Sequence, residues 1–98
     1  MTLEKLRSAD VEHLFKAILA LETEEECFRF FEDLCTIGEV HSLAQRLAVA
    51  RMLRNGATYH TIEEETGAST ATISRVKRCL YYGADGYRLI LDRMEERS

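Results

Sequence analysis

The stretch Tyr59-His60-Thr61-Ile62-Glu63-Glu64-Glu65-Thr66-Gly67-Ala68-Ser69-Thr70-Ala71-Thr72-Ile73-Ser74-Arg75-Val76-Lys77-Arg78-Cys79-Leu80-Tyr81-Tyr82 decides the reading of this chain. It reads as two short helices joined by a tight turn, with Gly67 as the pivot. A sharp turn between packed helices needs a residue that takes positive φ without a Cβ clash. Ile62 lies five residues before Gly67, Ala68 one after, Ile73 six after and Val76 nine after. These are the positions that a helix-turn-helix needs apolar, because they face each other across the elbow. The other side of the second helix carries Thr70, Thr72, Ser74, Arg75, Lys77 and Arg78, and no acid. That chemistry suits a helix laid in a DNA major groove, with cations on phosphates and small hydroxyls near base edges.

An ordinary helical hairpin with a solvated polar face is the plainer alternative. Against it stand the short Gly67-Ala68-Ser69 turn and the one-sidedly basic second helix. Two positions depart from the common motif: Glu63 stands where a small Ala is usual, and Thr66 where an apolar residue is usual.

The chain has 98 residues, enough for a single small domain over residues 1–98. It is 46% hydrophobic, with no Pro and few Gly, which favours helices with short links and a thin core that a second copy would complete. The formal charge of −4 argues against a non-specific nucleic-acid coat. The acids are uneven, however: Glu22, Glu24, Glu25, Glu26, Glu32 and Asp33 crowd one segment, and Glu63, Glu64 and Glu65 precede the turn. A basic face on an acidic body suits sequence-selective binding. No window reaches the ~18 apolar residues of a membrane span, and residues 1–5 lack the pattern of a secretory signal, so a cytoplasmic protein with no membrane partner is expected. Cys27, Cys35 and Cys79 have no CxxC spacing, so no metal is expected, and they read as small buried hydrophobes.

Before the motif, a first helix starts near Ser8 or Asp10 and runs to about Ala20. Thr23-Glu24-Glu25-Glu26 is a capping box that opens a second. That second helix holds Phe28, Phe30 and Phe31, more than one stripe can bury. A wide core face is one reading and a dimer interface the other, which is preferred in so small a chain. Thr36-Ile37-Gly38 reads as a break. A third helix follows from about Glu39 to Asn55, with a seam of Val40, Leu43, Leu47, Ala50 and Leu53 and a left-handed cap at Asn55-Gly56. Thr58 caps the first motif helix, Gly83 closes the second, and Asp85 or Gly86 starts the last. The chain is read as all-α, with five to six helices and the helix-turn-helix at about residues 59–82.

These landmarks resemble the Trp repressor family, and within it the YerC/YecD-type branch of TrpR-related proteins. The resemblance is carried by Ser42-Leu43-Ala44-Gln45-Arg46 with Leu53 and Gly56, then by Gly67-Ala68-Ser69-Thr70-Ala71-Thr72-Ile73-Ser74-Arg75. The branch features are Ala57-Thr58-Tyr59, Cys79-Leu80-Tyr81-Tyr82-Gly83 and Asp85-Gly86-Tyr87. It implies an intertwined all-helical homodimer whose two motifs face successive turns of a double-stranded DNA major groove. It places Thr70, Ala71 and Ser74 nearest the bases, and Thr72, Arg75, Lys77 and Arg78 at or beside phosphate-contacting positions. Tyr59 and His60 fall where the family contacts the DNA backbone, although His60 reads equally as an exposed histidine.

The resemblance also implies a tryptophan slot between two arginines, matched here by Arg46 and Arg75, allowing a one-residue gap between Gly56 and Gly67. The family's namesake has Gly after the second arginine, and this chain has Val76, which fills space that an indole needs. Tryptophan is therefore not expected, no cofactor is assigned, and another small anion or no ligand stays open. Arg46 reads otherwise as a surface arginine paired with a glutamate. The function expected is a dimeric DNA-binding transcriptional regulator, a repressor, without catalysis. The alternative is a protein-interaction dimer that kept the fold and lost the DNA site, suggested by the net acidity and by Glu63-Glu64-Glu65. No nucleophile–base pair or phosphate loop points to an enzyme.

Overall fold

The computed structural model describes the backbone of residues 7–97 and the side chains of residues 7–95. The amino-terminal residues read above for a secretory signal, and Ser98, lie outside the described residues. Among the described residues there are six α-helices and no strand: α1 Ala9–Leu19, α2 Glu24–Leu34, α3 Ile37–Arg54, α4 Tyr59–Thr66, α5 Thr70–Tyr82 and α6 Gly86–Arg97. They divide between two compact units, one ending at Val40 and the other beginning at His41, so the division falls inside α3.

In the first unit, Ser8 and not Asp10 is the cap of α1. Its Oγ accepts from the Val11 amide at 3.2 Å. The capping box expected for α2 forms by half: Thr23 Oγ1 accepts from the Glu26 amide at 3.1 Å, but Glu26 Oε1 reaches past the Thr23 amide and accepts from the Glu22 amide at 2.9 Å. Phe30 and Phe31 pack edge to face, with centroids 5.6 Å apart. Yet no side chain of α1 or α2 is buried. Leu19 is 83% exposed and Phe28 65%.

The expected break at Thr36-Ile37-Gly38 is instead the start of α3, two residues before Glu39. Thr36 Oγ1 accepts from the Glu39 amide at 3.1 Å, and Glu39 Oε1 accepts from the Thr36 amide at 2.8 Å. This second capping box satisfies the first-turn amides, which have no partner inside the helix, so Gly38 is carried without breaking it. The Thr36 amide and then its hydroxyl hold the Glu39 carboxyl below its ordinary value. The cap is therefore complete above the ordinary carboxylate range and is lost as pH falls through the lowered value. A Glu39 titration followed by NMR should move upward in part in Thr36→Ala, which removes the hydroxyl and keeps the amide, and an unmoved titration would mean that the hydroxyl does not lower it in solution.

The second unit holds the buried core: Val49, Ala50 and Leu53 of α3, Ile62 of α4, Ala68 of the turn, Ile73, Val76 and Leu80 of α5, and Leu91 of α6. Each large aliphatic side chain buried here contributes about 1.5–3 kcal/mol. The seam expected along α3 is only partly the inward face. Ala50 and Leu53 are buried and so is Val49, which lies outside it, while Leu43 is exposed. α3 ends at Arg54 in a Schellman motif: the Gly56 amide donates to the Leu53 carbonyl at 3.1 Å and the Ala57 amide to the Met52 carbonyl at 3.0 Å, with Gly56 at φ +85°.

At the motif's elbow Gly67 has φ +73°, and a Cβ added there would meet nothing within 4 Å. Gly67→Ala should therefore cost only left-handed backbone strain, about 1–2 kcal/mol in a denaturation curve. A much larger loss would point to a steric role that the structure does not contain. Gly83 serves differently. Its φ is negative, and a Cβ there would collide with the Cys79 carbonyl.

Cys27 and Cys35 are half-buried but Cys79 is exposed. The reading of three buried cysteines thus fails at Cys79, because Val76 and Leu80 already define the inward side of α5. Among the described residues, no helix is long and apolar enough to cross a membrane.

Candidate nucleic-acid interface

The core spacing of Ile73, Val76 and Leu80 fixes how α5 rolls on the body, and so what it presents outward. Thr70, Ala71, Ser74, Arg75, Lys77 and Arg78 are exposed, and Thr72 is half-buried. Among the described residues, Arg75 and Arg78 enter no ion pair, so their charge is not spent on any described carboxylate.

Both motif helices begin with one repeated device. Thr58 Oγ1 accepts from the Thr61 amide at 3.2 Å and donates to Thr61 Oγ1 at 3.0 Å. Ser69 Oγ accepts from the Thr72 amide at 3.1 Å and donates to Thr72 Oγ1 at 3.1 Å. In each, the cap's hydrogen is used and the third helical residue keeps its own. A hydroxyl that accepts inwardly and donates outwardly suits a phosphate oxygen. Thr61 was missed as a candidate, and the signal that could have found it is the shared pattern Thr58-x-x-Thr61 and Ser69-x-x-Thr72.

Tyr59 and Lys77 are brought together across the motif, with the Lys77 ammonium 5.7 Å from the centroid of the half-buried Tyr59 ring. His60 is fully on the surface, its Nε2 3.0 Å from Glu64 Oε1. Glu64 therefore competes with any phosphate for His60. Glu63 is bonded as well: its Oε1 accepts from the Thr70 hydroxyl at 2.5 Å.

The elbow is locked from three directions. Thr66, the second departure from the common motif, donates from Oγ1 to the Ile62 carbonyl at 2.6 Å and accepts from the Ala68 amide at 3.1 Å. Gln45 Nε2 of α3 donates to the Thr66 carbonyl at 3.0 Å. At the far end of α5, Arg88 of α6 donates to the Leu80 carbonyl at 3.0 Å and to the Tyr81 carbonyl at 3.3 Å, satisfying carbonyls that the helix end leaves open. α6 is itself tied to α3 by Arg54, which reaches Asp92 at 2.5 Å and Glu95 at 3.0 Å.

Of the three residues matched to an effector slot, Arg46 is half-buried, Arg75 is exposed and Val76 is 2% exposed. Val76 is thus a packed member of the core. Arg46 enters no ion pair among the described residues, so the paired-surface-arginine alternative finds no partner there. Tyr87 of α6, quoted from the sequence as a branch feature and given no role there, packs against the same core. Burial pushes its phenol above the ordinary value, opposed by the Arg46 guanidinium, reinforced by Cys79 and opposed again by Arg75. An aromatic ring of the chain itself therefore lies within electrostatic reach of both arginines. Among the described residues, no group of three His, Cys, Asp or Glu side chains is placed to hold a metal ion.

A family described as Trp repressor protein matches residues 9–95. The chain is 66% identical over 96 residues to the uncharacterized protein YerC of Bacillus subtilis (strain 168), covering 98% of this chain and 92% of that one. Its structure superposes on a crystal structure of a provisionally named Trp repressor from Staphylococcus aureus, with a TM-score of 0.92, 62% identity, and 97% and 95% of the two chains covered. A TrpR-like protein from Eubacterium eligens gives a TM-score of 0.91, 55% identity, and 94% and 95% coverage.

Proposed function

The chain belongs to the Trp repressor family, and from that premise we propose that it is a sequence-specific DNA-binding transcriptional regulator. It acts in the cytoplasm as a homodimer without catalysis, and represses by occluding a promoter. The observation that carries this reading is the exposed, acid-free face of α5, with Arg75, Lys77 and Arg78 on a helix bonded to its neighbours at both ends, by Thr70 to Glu63 and by Arg88 to the Leu80 carbonyl. On this reading Arg75, Lys77 and Arg78 neutralise phosphates, and the Thr72 hydroxyl donates to one. Tyr59 and His60 border the DNA backbone. Thr70, Ala71 and Ser74 meet base edges in the major groove.

Dimerisation is supported by the first unit. Two helices of 11 residues each with no buried side chain do not make a core by themselves. The apolar side chains they expose, Phe28 and Leu19 among them, fit a face that a second copy covers. Two recognition helices related by a two-fold then ask for half-sites about one helical turn apart. Tryptophan is not the effector on this reading, since Val76 and Tyr87 occupy the neighbourhood of Arg46 and Arg75.

The interaction-dimer alternative drew on Glu63, Glu64 and Glu65. Two of these are engaged by Thr70 and His60, which weakens it. Titrating a labelled genomic duplex pool with protein at several salt concentrations separates the two readings. Tight binding whose logarithm falls linearly with the logarithm of salt is the expected result. No shift at moderate salt, with the dimer intact, would favour the alternative.

A further inference from the structure

Glu63 sits at the fifth position of α4 and Thr70 is the first residue of α5, seven residues on across the turn. The bond between them constrains what Thr70 can offer. A threonine hydroxyl has one hydrogen and two lone pairs. Its hydrogen points to the Glu63 carboxylate at 2.5 Å, so only lone pairs remain for an outside partner. The carboxylate itself can only accept. The Glu63–Thr70 side-chain pair therefore presents two acceptors together and no donor. Thr72, by contrast, accepts from Ser69 and keeps its hydrogen. The positive end of α5 lies beside the carboxylate and offsets its charge.

In the major groove, paired acceptors are matched by the exocyclic amino groups of cytosine and adenine, and opposed by guanine O6 and N7 and by thymine O4. We propose that the Glu63–Thr70 pair is a specificity element, selecting cytosine or adenine on the strand it faces, at one position in each half-site. This rests on the DNA-binding reading above. The carboxylate also repels phosphates, so it lowers affinity for unrelated DNA while it raises discrimination. A purely structural role at the elbow would do neither.

The test compares wild type, Glu63→Ala, Glu63→Gln and Thr70→Val on a site selected by the wild-type protein, with all four base pairs placed in turn at each half-site position. Wild type should prefer cytosine or adenine at one position by about tenfold. That preference should collapse in Glu63→Ala and Thr70→Val. Glu63→Ala should also bind unrelated duplex more tightly, and Glu63→Gln, whose amide can donate, should shift toward guanine or thymine. Circular dichroism identifies any variant that fails to fold, and the remaining variants decide. A wild-type site whose preference survives in the folded variants overturns this inference and leaves the DNA-binding reading standing. A wild-type protein that binds no duplex overturns both.

Discussion

Replacing Arg75, Lys77 and Arg78 together by Ala should reduce DNA affinity on the order of a thousandfold near physiological salt, with the fold retained. All three are exposed on α5, and none belongs to the buried core. Arg75 and Arg78 enter no ion pair among the described residues, so their removal strands no described carboxylate. Lys77 gives up its position over Tyr59, a loss of about 0.5–1 kcal/mol at an exposed site. The more telling quantity is the salt dependence. Each phosphate contact contributes about 0.9 to the slope of log affinity against log salt. Three such contacts per chain and two chains per site make a fall of about 5. Single replacements should each remove a share of this on every sequence alike, whereas changes at Thr70 or Ser74 should alter sequence preference. A triple variant that loses affinity with the slope unchanged would mean that these cations do not touch phosphates.

On the homodimer proposed above, Phe28→Asp should give monomer and weaken DNA binding with it. Phe28 is 65% exposed on α2, a helix with no buried residue. On a free surface an aspartate there would be neutral or favourable. In a desolvated interface an unpaired carboxylate costs several kcal/mol, enough to raise a dimer dissociation constant by about two to three orders of magnitude. Sedimentation of wild type and variant over a concentration series reads the difference directly. An unchanged sedimentation coefficient in the variant would place Phe28 outside the dimer contact.

The helix-turn-helix was legible because its determinants are local. Gly67 and the apolar positions five before and one, six and nine after it lie within one short window, and all four apolar residues are buried. Thr58 was legible as a cap for the same reason. The misread start of α3 was also local. A Gly in a helix's first turn resembles a break until the Thr36–Glu39 box is counted, and that box has the same spacing as the one recognised at Thr23–Glu26.

The face of α3 could not be read, because the helix is apolar on more than one side and periodicity does not say which side meets α4 and α5. The locks on the elbow and on the end of α5 were hidden for another reason. Gln45 reaches Thr66, and Arg88 reaches Leu80 and Tyr81, by contacts that depend on how whole helices are placed. Of the candidate site, residue types and exposure on α5 were readable. The bonds that set each hydroxyl's role, from Ser69 to Thr72 and from Thr70 to Glu63, were not.

The most direct test of the account is selection from random duplex DNA by the purified protein at near-physiological salt, in parallel with and without tryptophan. The account predicts one enriched palindrome with half-sites about 10 base pairs apart, the same in both arms, since Val76 is packed into the core and on the proposed reading fills the space that an indole would need. Enrichment only in the presence of tryptophan would contradict the filled slot, and no enrichment in either arm would contradict the claim that this helix-turn-helix reads DNA.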